Sequence, residues 1–205
     1  TKLISLNTSI SDKSFQRMSM FKAFSEQVFK KFNRFLVQSV REKERLAAFG
    51  VSNIDIIGNI KVNSENYVIN EEVKEKIIAK LDSNKFTVVL GSSHDGEEDY
   101  VINALHDLDL VLVIAPRHPE RINGVKKLLK DKGIDFSLFS EAEDGLKERV
   151  IIYDQIGSLF ELYAAADLAV VAGSIVFDKG HNFIEPIYAG TPSITGIKLK
   201  NYSEL

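Results

Sequence analysis

The sequence predicts an α/β protein, a parallel β-sheet covered by helices on both faces. Short apolar runs alternate with longer amphipathic stretches from Phe35 to Thr195, the βα repeat that builds such a sheet. Runs such as Leu168 to Ala172 are apolar throughout, as in strands buried on both sides. Glycine-containing polar loops follow several of these runs, where ligands sit in open parallel sheets, beyond the carboxyl ends of the strands.

Lys2 to Leu6 reads as a strand already under way at the first residue, and the chain stops soon after another strand, so it reads as a piece cut at both ends. From Ser11 to Asn33, Phe15, Met18, Phe21, Phe24, Val28 and Phe32 recur at three- and four-residue steps, predicting one helix of five or more turns. Its opposite face carries Lys13, Arg17, Lys22, Lys30 and Lys31. That face suits an anionic membrane surface or a solvated helix bridging two domains; the Phe spacing, which fits burial, favours the bridge.

Phe35 to Gln38 reads as a strand, Val40 to Phe49 as a helix closed by Gly50, and Ile54 to Ile57 as a strand closed by Gly58. Helices follow at Glu71 to Leu81, Gly96 to Leu105, Pro119 to Lys132, Ile156 to Ala166 and Asn182 to Ala189. Strands lie at Phe86 to Leu90, Leu110 to Ala115, Phe136 to Phe139, Val150 to Tyr153, Leu168 to Ala172 and Pro192 to Thr195.

The bulk composition is that of a globular chain with a sizeable core: 205 residues, 44% hydrophobic and 27% charged. With 26 basic against 29 acidic residues, the net charge of -3 demands no nucleic acid. The absence of Cys excludes disulfides and thiolate chemistry. No run approaches the roughly 18 apolar residues needed to span a bilayer, so the chain reads as soluble.

Three loops carry the candidate chemistry. Gly173 to Gly190 places a strand, a glycine loop and a polar helix start in succession, and a helix starting near His181 would aim free N–H groups at an anion. Asn182 and Glu185, with His181, fall at spacings that let them converge on one ligand, and a carboxylate there can accept from two vicinal hydroxyls. His181 taken alone also reads as a capping or core histidine. In Gly91 to Glu98, small residues let backbone N–H groups reach a phosphate or sugar. Asp95 and Glu98 there read as a capping box in preference to a catalytic pair, leaving His94 as the better functional candidate. In Pro116 to Arg121, Arg117 stands at a strand's carboxyl end, where a guanidinium pairs with phosphate or carboxylate. Arg121, in a first helical turn, implies either a bound anion or an acidic partner such as Glu120. The four His residues are dispersed and no metal set is expected.

Four segments together, LNTSISDKSF (Leu6 to Phe15), GSSHDGEE (Gly91 to Glu98), PRHPER (Pro116 to Arg121) and AGSIVFDKGHNFIEPIYAG (Ala172 to Gly190), resemble the Kdo transferases in order and spacing. These enzymes move 3-deoxy-D-manno-octulosonic acid (Kdo) from CMP-Kdo to the lipid A precursor of lipopolysaccharide. The resemblance covers essentially the whole chain. It implies the Rossmann-like C-terminal half of a GT-B glycosyltransferase, with residues 1–33 ending an N-terminal acceptor domain and residues 34–205 forming the donor domain.

It further implies donor binding by Arg117, Gly173, Ser174, His181, Asn182 and Glu185, with Ser93, His94 and Gly96 lining the cleft. No catalytic residue is expected within the chain, because the family's general base, a Glu, belongs to the N-terminal domain. The piece alone would then be inactive, needing no cofactor and no metal. The parent enzyme would work at the cytoplasmic face of the inner membrane. Ala172 and Phe183 depart from the family's usual Gly and Pro and leave Asn182 and Glu185 in place. A sugar-nucleotide 2-epimerase binding a uridine nucleotide, or a module that only binds nucleotide, are the alternatives.

Overall fold

The computed structural model describes residues 2–62, 67–81, 84–141, 145–146, 148–177 and 180–197. The chain forms two compact units that divide at Asn66 and Tyr67. The predicted class holds: both units are parallel sheets with packed helices.

In the first unit, β1 (Ile4–Thr8), β2 (Arg34–Val37) and β3 (Ile54–Ile56) form a parallel sheet in that order. The helices are α1 (Asp12–Met20), α2 (Lys22–Phe29) and α3 (Val40–Ala47). The boundary expected after residue 33 is therefore corrected. Arg34–Val37, expected to open the second domain, is the middle strand of the first sheet, with Phe35 and Val37 in that unit's core.

The single long helix is also corrected. Phe21 leaves helical geometry (φ -119°, ψ 46°) and its N–H turns back to the Met18 carbonyl, which also accepts the Ser25 hydroxyl at 3.1 Å. The three- and four-residue spacing runs through the break, so periodicity alone cannot reveal it. Phe15, Met18, Phe29 and Phe32 pack on the core, whereas Met20, Phe21 and Phe24 are about 70% exposed (71%, 69% and 70%).

The second unit begins with α4 (Glu71–Lys80), whose N-cap Asn70 accepts the Val73 amide. Then follow β4 (Phe86–Ser93), α5 (Glu97–Leu105), β5 (Leu110–Pro116), a 3-10 turn (Pro119–Arg121) and α6 (Ile122–Asp131). The rest is β6 (Phe136–Leu138), β7 (Val150–Ile152), α7 (Leu159–Ala164), β8 (Leu168–Val171), α8 (Ile184–Tyr188) and β9 (Ser193–Thr195).

Its six strands are all parallel, in the order β6-β7-β5-β4-β8-β9. Alternate residues of β4, β5, β7 and β8 feed opposite cores. Val88, Leu90, Leu112 and Ile114 meet Val101, Ile102, Val125 and Leu129 of α5 and α6. Val89, Val111, Val113 and Ile151 meet Ile77, Leu162 and Tyr163 of α4 and α7. Each fully buried aliphatic side chain contributes roughly 1.5–3 kcal/mol of transfer free energy. The chain leaves central β4 toward β5 on one side and returns through β8 on the other, so the strand order reverses beside β4, the place where open parallel sheets bind ligands at the strands' carboxyl ends.

Candidate functional site

The loop after β4 is shaped by two backbone devices. Gly91 lies against Tyr163, where an added Cβ would fall 1.8 Å from the phenol oxygen, so only glycine fits. Ser92 adopts φ 56° where the β4–β5 register shifts, a bulge that turns Ser93 inward. Ser93 is fully buried, and its hydroxyl donates to Glu98 Oε1 at 2.8 Å. Glu98, 1% exposed, is held by Arg121 Nη1 at 2.8 Å and Nη2 at 3.3 Å, and Arg121 also donates to the Ser93 carbonyl.

Arg121 thus has an acidic partner, and that partner is Glu98. The capping box from Asp95 and Glu98 is absent: Gly96 (φ 83°) is the N-cap of α5, and Glu97 reaches back to the His94 amide at 3.1 Å. Gly96 is exposed at that turn.

The glycine loop after β8 differs most from expectation. Its N–H groups are already engaged by the fully buried Glu97 carboxylate. Gly173 N–H donates to Glu97 Oε1 and Oε2 at 2.8 and 2.9 Å, and Ile175 and Val176 donate to Oε1 at 3.2 and 3.4 Å. An internal carboxylate occupies the concavity assigned to an external anion. Ser174, 1% exposed, accepts the Gly196 amide at 2.8 Å. Ser93, Gly173 and Ser174 are thus each engaged in hydrogen bonds that hold the loops. The helix expected near His181 begins at Ile184 and spans five residues, so His181 and Asn182 precede it.

What remains on the crevice is a cluster of four side chains from three loops. His94 and His181 meet Nε2 to Nε2 at 2.7 Å with ring centroids 4.9 Å apart and planes 21° from parallel. His118 lies 6.0 Å from His94 between ring centroids, and Arg117 is exposed at the end of β5. Gly173 makes room for this pair: its φ is +83°, and an added Cβ would lie 2.5 Å from His181 Cδ2. Burial, with smaller contributions from His94 and Arg117, pushes the His181 imidazole down to about 4. Burial likewise lowers His94, partly offset by Glu97. Both rings are neutral at pH 7.

Beside them Asn182 Nδ2 donates to Glu185 Oε1 at 3.0 Å and to the Tyr67 phenol at 2.9 Å, while Tyr67 stacks on Tyr188 at 4.7 Å. The expected convergence of Asn182 and Glu185 is present; His181 turns to His94 instead. Among the described residues no group of three or more His, Asp or Glu is arranged to hold a metal.

A pocket of about 150 Å³ opens next to Arg117, lined also by Ser92, Tyr153, Asp154, Gln155 and Ile156. The loop after β7 that supplies the last four was not among the candidates. Its signal was the one that marked the other loops, a glycine (Gly157, φ 88°) between an apolar strand and a helix.

Comparison with known proteins gives a consistent kinship. Residues 1–64 match the sequence model of the family described as 3-deoxy-D-manno-octulosonic-acid transferase (kdotransferase). The chain is 33% identical to the 3-deoxy-D-manno-octulosonic acid transferase of Chlamydophila psittaci, over 98% of this chain and 48% of that protein. It is 29% identical to a bifunctional glycosyltransferase/methyltransferase of Fusobacterium nucleatum, over 100% of this chain and 33% of that protein. The chain thus spans a third to a half of the length of these curated relatives.

Among solved structures it is similar to the C-terminal CMP-Kdo binding domain of WaaA from Acinetobacter baumannii. The TM-score is 0.54 at 28% identity, covering 58% of this chain and 66% of that one. Anabaena Alr3699/HepE, solved with UDP-glucose, shares the fold at a TM-score of 0.52 and 14% identity, covering 95% of this chain and 53% of that one. Along its whole length the chain is a sequence relative of the Kdo transferases.

Proposed function

We propose that this chain is part of an inverting Kdo transferase and that its second unit binds the CMP-Kdo donor. The observation that carries this reading is the likeness to the solved CMP-Kdo binding domain, joined to a crevice at the strand ends whose exposed cation is Arg117.

The open pocket beside Arg117 has the volume that elsewhere takes up one benzene-sized ring, about 150 Å³, which suits a nucleobase. Arg117 would bind the phosphate and stabilise its negative charge as Kdo departs. Glu185, oriented by Asn182, would accept hydrogen bonds from the ribose hydroxyls. Because the Gly173 N–H donates to Glu97, the side chains of Arg117 and its neighbours carry the phosphate contacts in this reading.

The acceptor in this reading is the lipid A precursor at an inner-membrane surface. The exposed Met20, Phe21 and Phe24 beside Lys22 support a membrane-facing role for the first two helices over a solvated bridge.

The test is calorimetric titration of this chain with CMP and with UMP, followed by assay of Arg117→Ala and Glu185→Ala in the complete enzyme. CMP should bind more tightly than UMP, and both variants should lose kcat/KM for the donor by tenfold or more, about 1.4 kcal/mol or greater. Preference for UMP, or variants with unchanged donor kinetics, would overturn the reading.

A further inference from the structure

We infer that His94 and His181 act as one proton-accepting unit that makes phosphate binding at this crevice proton-linked, the pair staying neutral in the free protein and taking up one proton when the anion binds beside Arg117 and His118. This rests on the donor-site reading above. Two imidazoles meeting Nε2 to Nε2 at 2.7 Å bond only if one carries the hydrogen and the other the lone pair. The donating ring then has its own lone pair at Nδ1. It can accept one further proton there without losing the shared hydrogen bond, which becomes charge-assisted and stronger. A second proton would leave a hydrogen on both Nε2 atoms and break the contact. The capacity of the pair is therefore one proton.

The groups facing the pair decide when that proton arrives. His94 faces Glu97, Glu98, Arg121 and His118; His181 faces Arg117, Glu97 and His118. The cations oppose protonation. The two acids favour it, but Glu97 is committed to the Gly173 and Ile175 amides and Glu98 to Arg121. Burial, the largest influence on both rings, completes the bias toward neutrality. A phosphate bound to Arg117 adds an uncommitted negative charge to this partly desolvated cluster, the change that raises an imidazole's proton affinity. The His94–His181 contact joins the β4 loop to the β8 loop, so the proton also tightens the two loops around the ligand.

The probe is the methyl phosphodiester of CMP, whose phosphate carries one negative charge throughout the range used. Calorimetry on this chain in buffers of different ionisation heat reads proton uptake directly. The expected result is uptake approaching one proton per ligand, with affinity tightening by up to about tenfold per pH unit from pH 7.5 to pH 5.5. His94→Gln and His181→Gln should both flatten that slope. Imidazole nitrogen shifts of the unsubstituted chain should show the pair becoming singly protonated on ligand addition at about pH 6.5, near the ordinary histidine value. Binding without proton uptake, equal uptake in both variants, or two neutral rings in the complex would overturn the linkage and leave the donor-site reading intact. Absence of binding at every pH would overturn both.

Discussion

The Glu97 carboxylate holds the Gly173 amide with both oxygens, at 2.8 and 2.9 Å, across 76 residues of chain. One buried side chain thus ties the start of α5 to the loop after β8 and satisfies N–H groups that a glycine loop otherwise offers to a ligand. Glu97→Ala leaves the buried Gly173 amide without an acceptor, a loss of about 1–3 kcal/mol. A lower urea midpoint and faster hydrogen exchange at Gly173 are the expected outcome. Unchanged exchange there would show that the carboxylate is dispensable to the loop.

Arg117 and Arg121 sit four residues apart and separate into two roles. Arg121→Ala strips the charged partner from Glu98, which is 1% exposed and keeps only the Ser93 hydroxyl, and should destabilise the fold by about 3–5 kcal/mol, less some solvent screening because Arg121 itself is 22% exposed. Arg117→Ala, at an exposed position, should leave unfolding within about 0.5 kcal/mol of wild type while weakening CMP binding. Urea titrations paired with calorimetry on both variants check the division; equal stability losses would reject it.

Gly173→Ala meets two obstacles, a backbone at φ +83° and an imidazole carbon 2.5 Å from the new methyl. A cost of about 1–3 kcal/mol is expected from the backbone alone. The His94–His181 contact should also be displaced. Thermal unfolding measures the first, and imidazole NMR shifts the second.

The neutral histidine pair makes stability depend on pH. An unfolded histidine takes its proton near 6.5, whereas folded His181 resists until about 4. Between those values the unfolded chain binds more protons, so stability is fully present above 6.5 and falls as pH drops toward about 4. Below that the contribution is gone. Urea unfolding at a series of pH values should show a shallower decline for His181→Gln through this window than for wild type.

The exposed Met20, Phe21 and Phe24, with Lys22, should draw the chain onto vesicles containing anionic lipid. Phe21→Ser combined with Phe24→Ser should weaken co-sedimentation several-fold without loss of fold, because neither ring packs on the first unit's core. Equal sedimentation of both proteins would assign these rings another role.

The α/β class, the strands and most helices are legible along the chain, since each is written in a local period of apolar residues and in the glycine or capping residue that ends it. The sequence also marked Arg117, Asn182 and Glu185, which stand where a strand meets a loop or at a three-residue spacing. Tertiary structure decided what those patterns leave open. Pairing between β1 and β2 placed Arg34–Val37 in the first sheet, and a helix whose apolar spacing continues unaltered breaks at Phe21, where the Met18 carbonyl accepts the Phe21 amide and the Ser25 hydroxyl. The glycine loop at 173 looked vacant for an anion because its acceptor, Glu97, lies far away in the chain. The four-residue spacing of His181 and Glu185 allows them to meet, but His181 pairs with His94 at 2.7 Å. Local patterns record a residue's neighbours along one helix or strand; which distant group fills a concavity is settled only when the sheet brings the loop ends together.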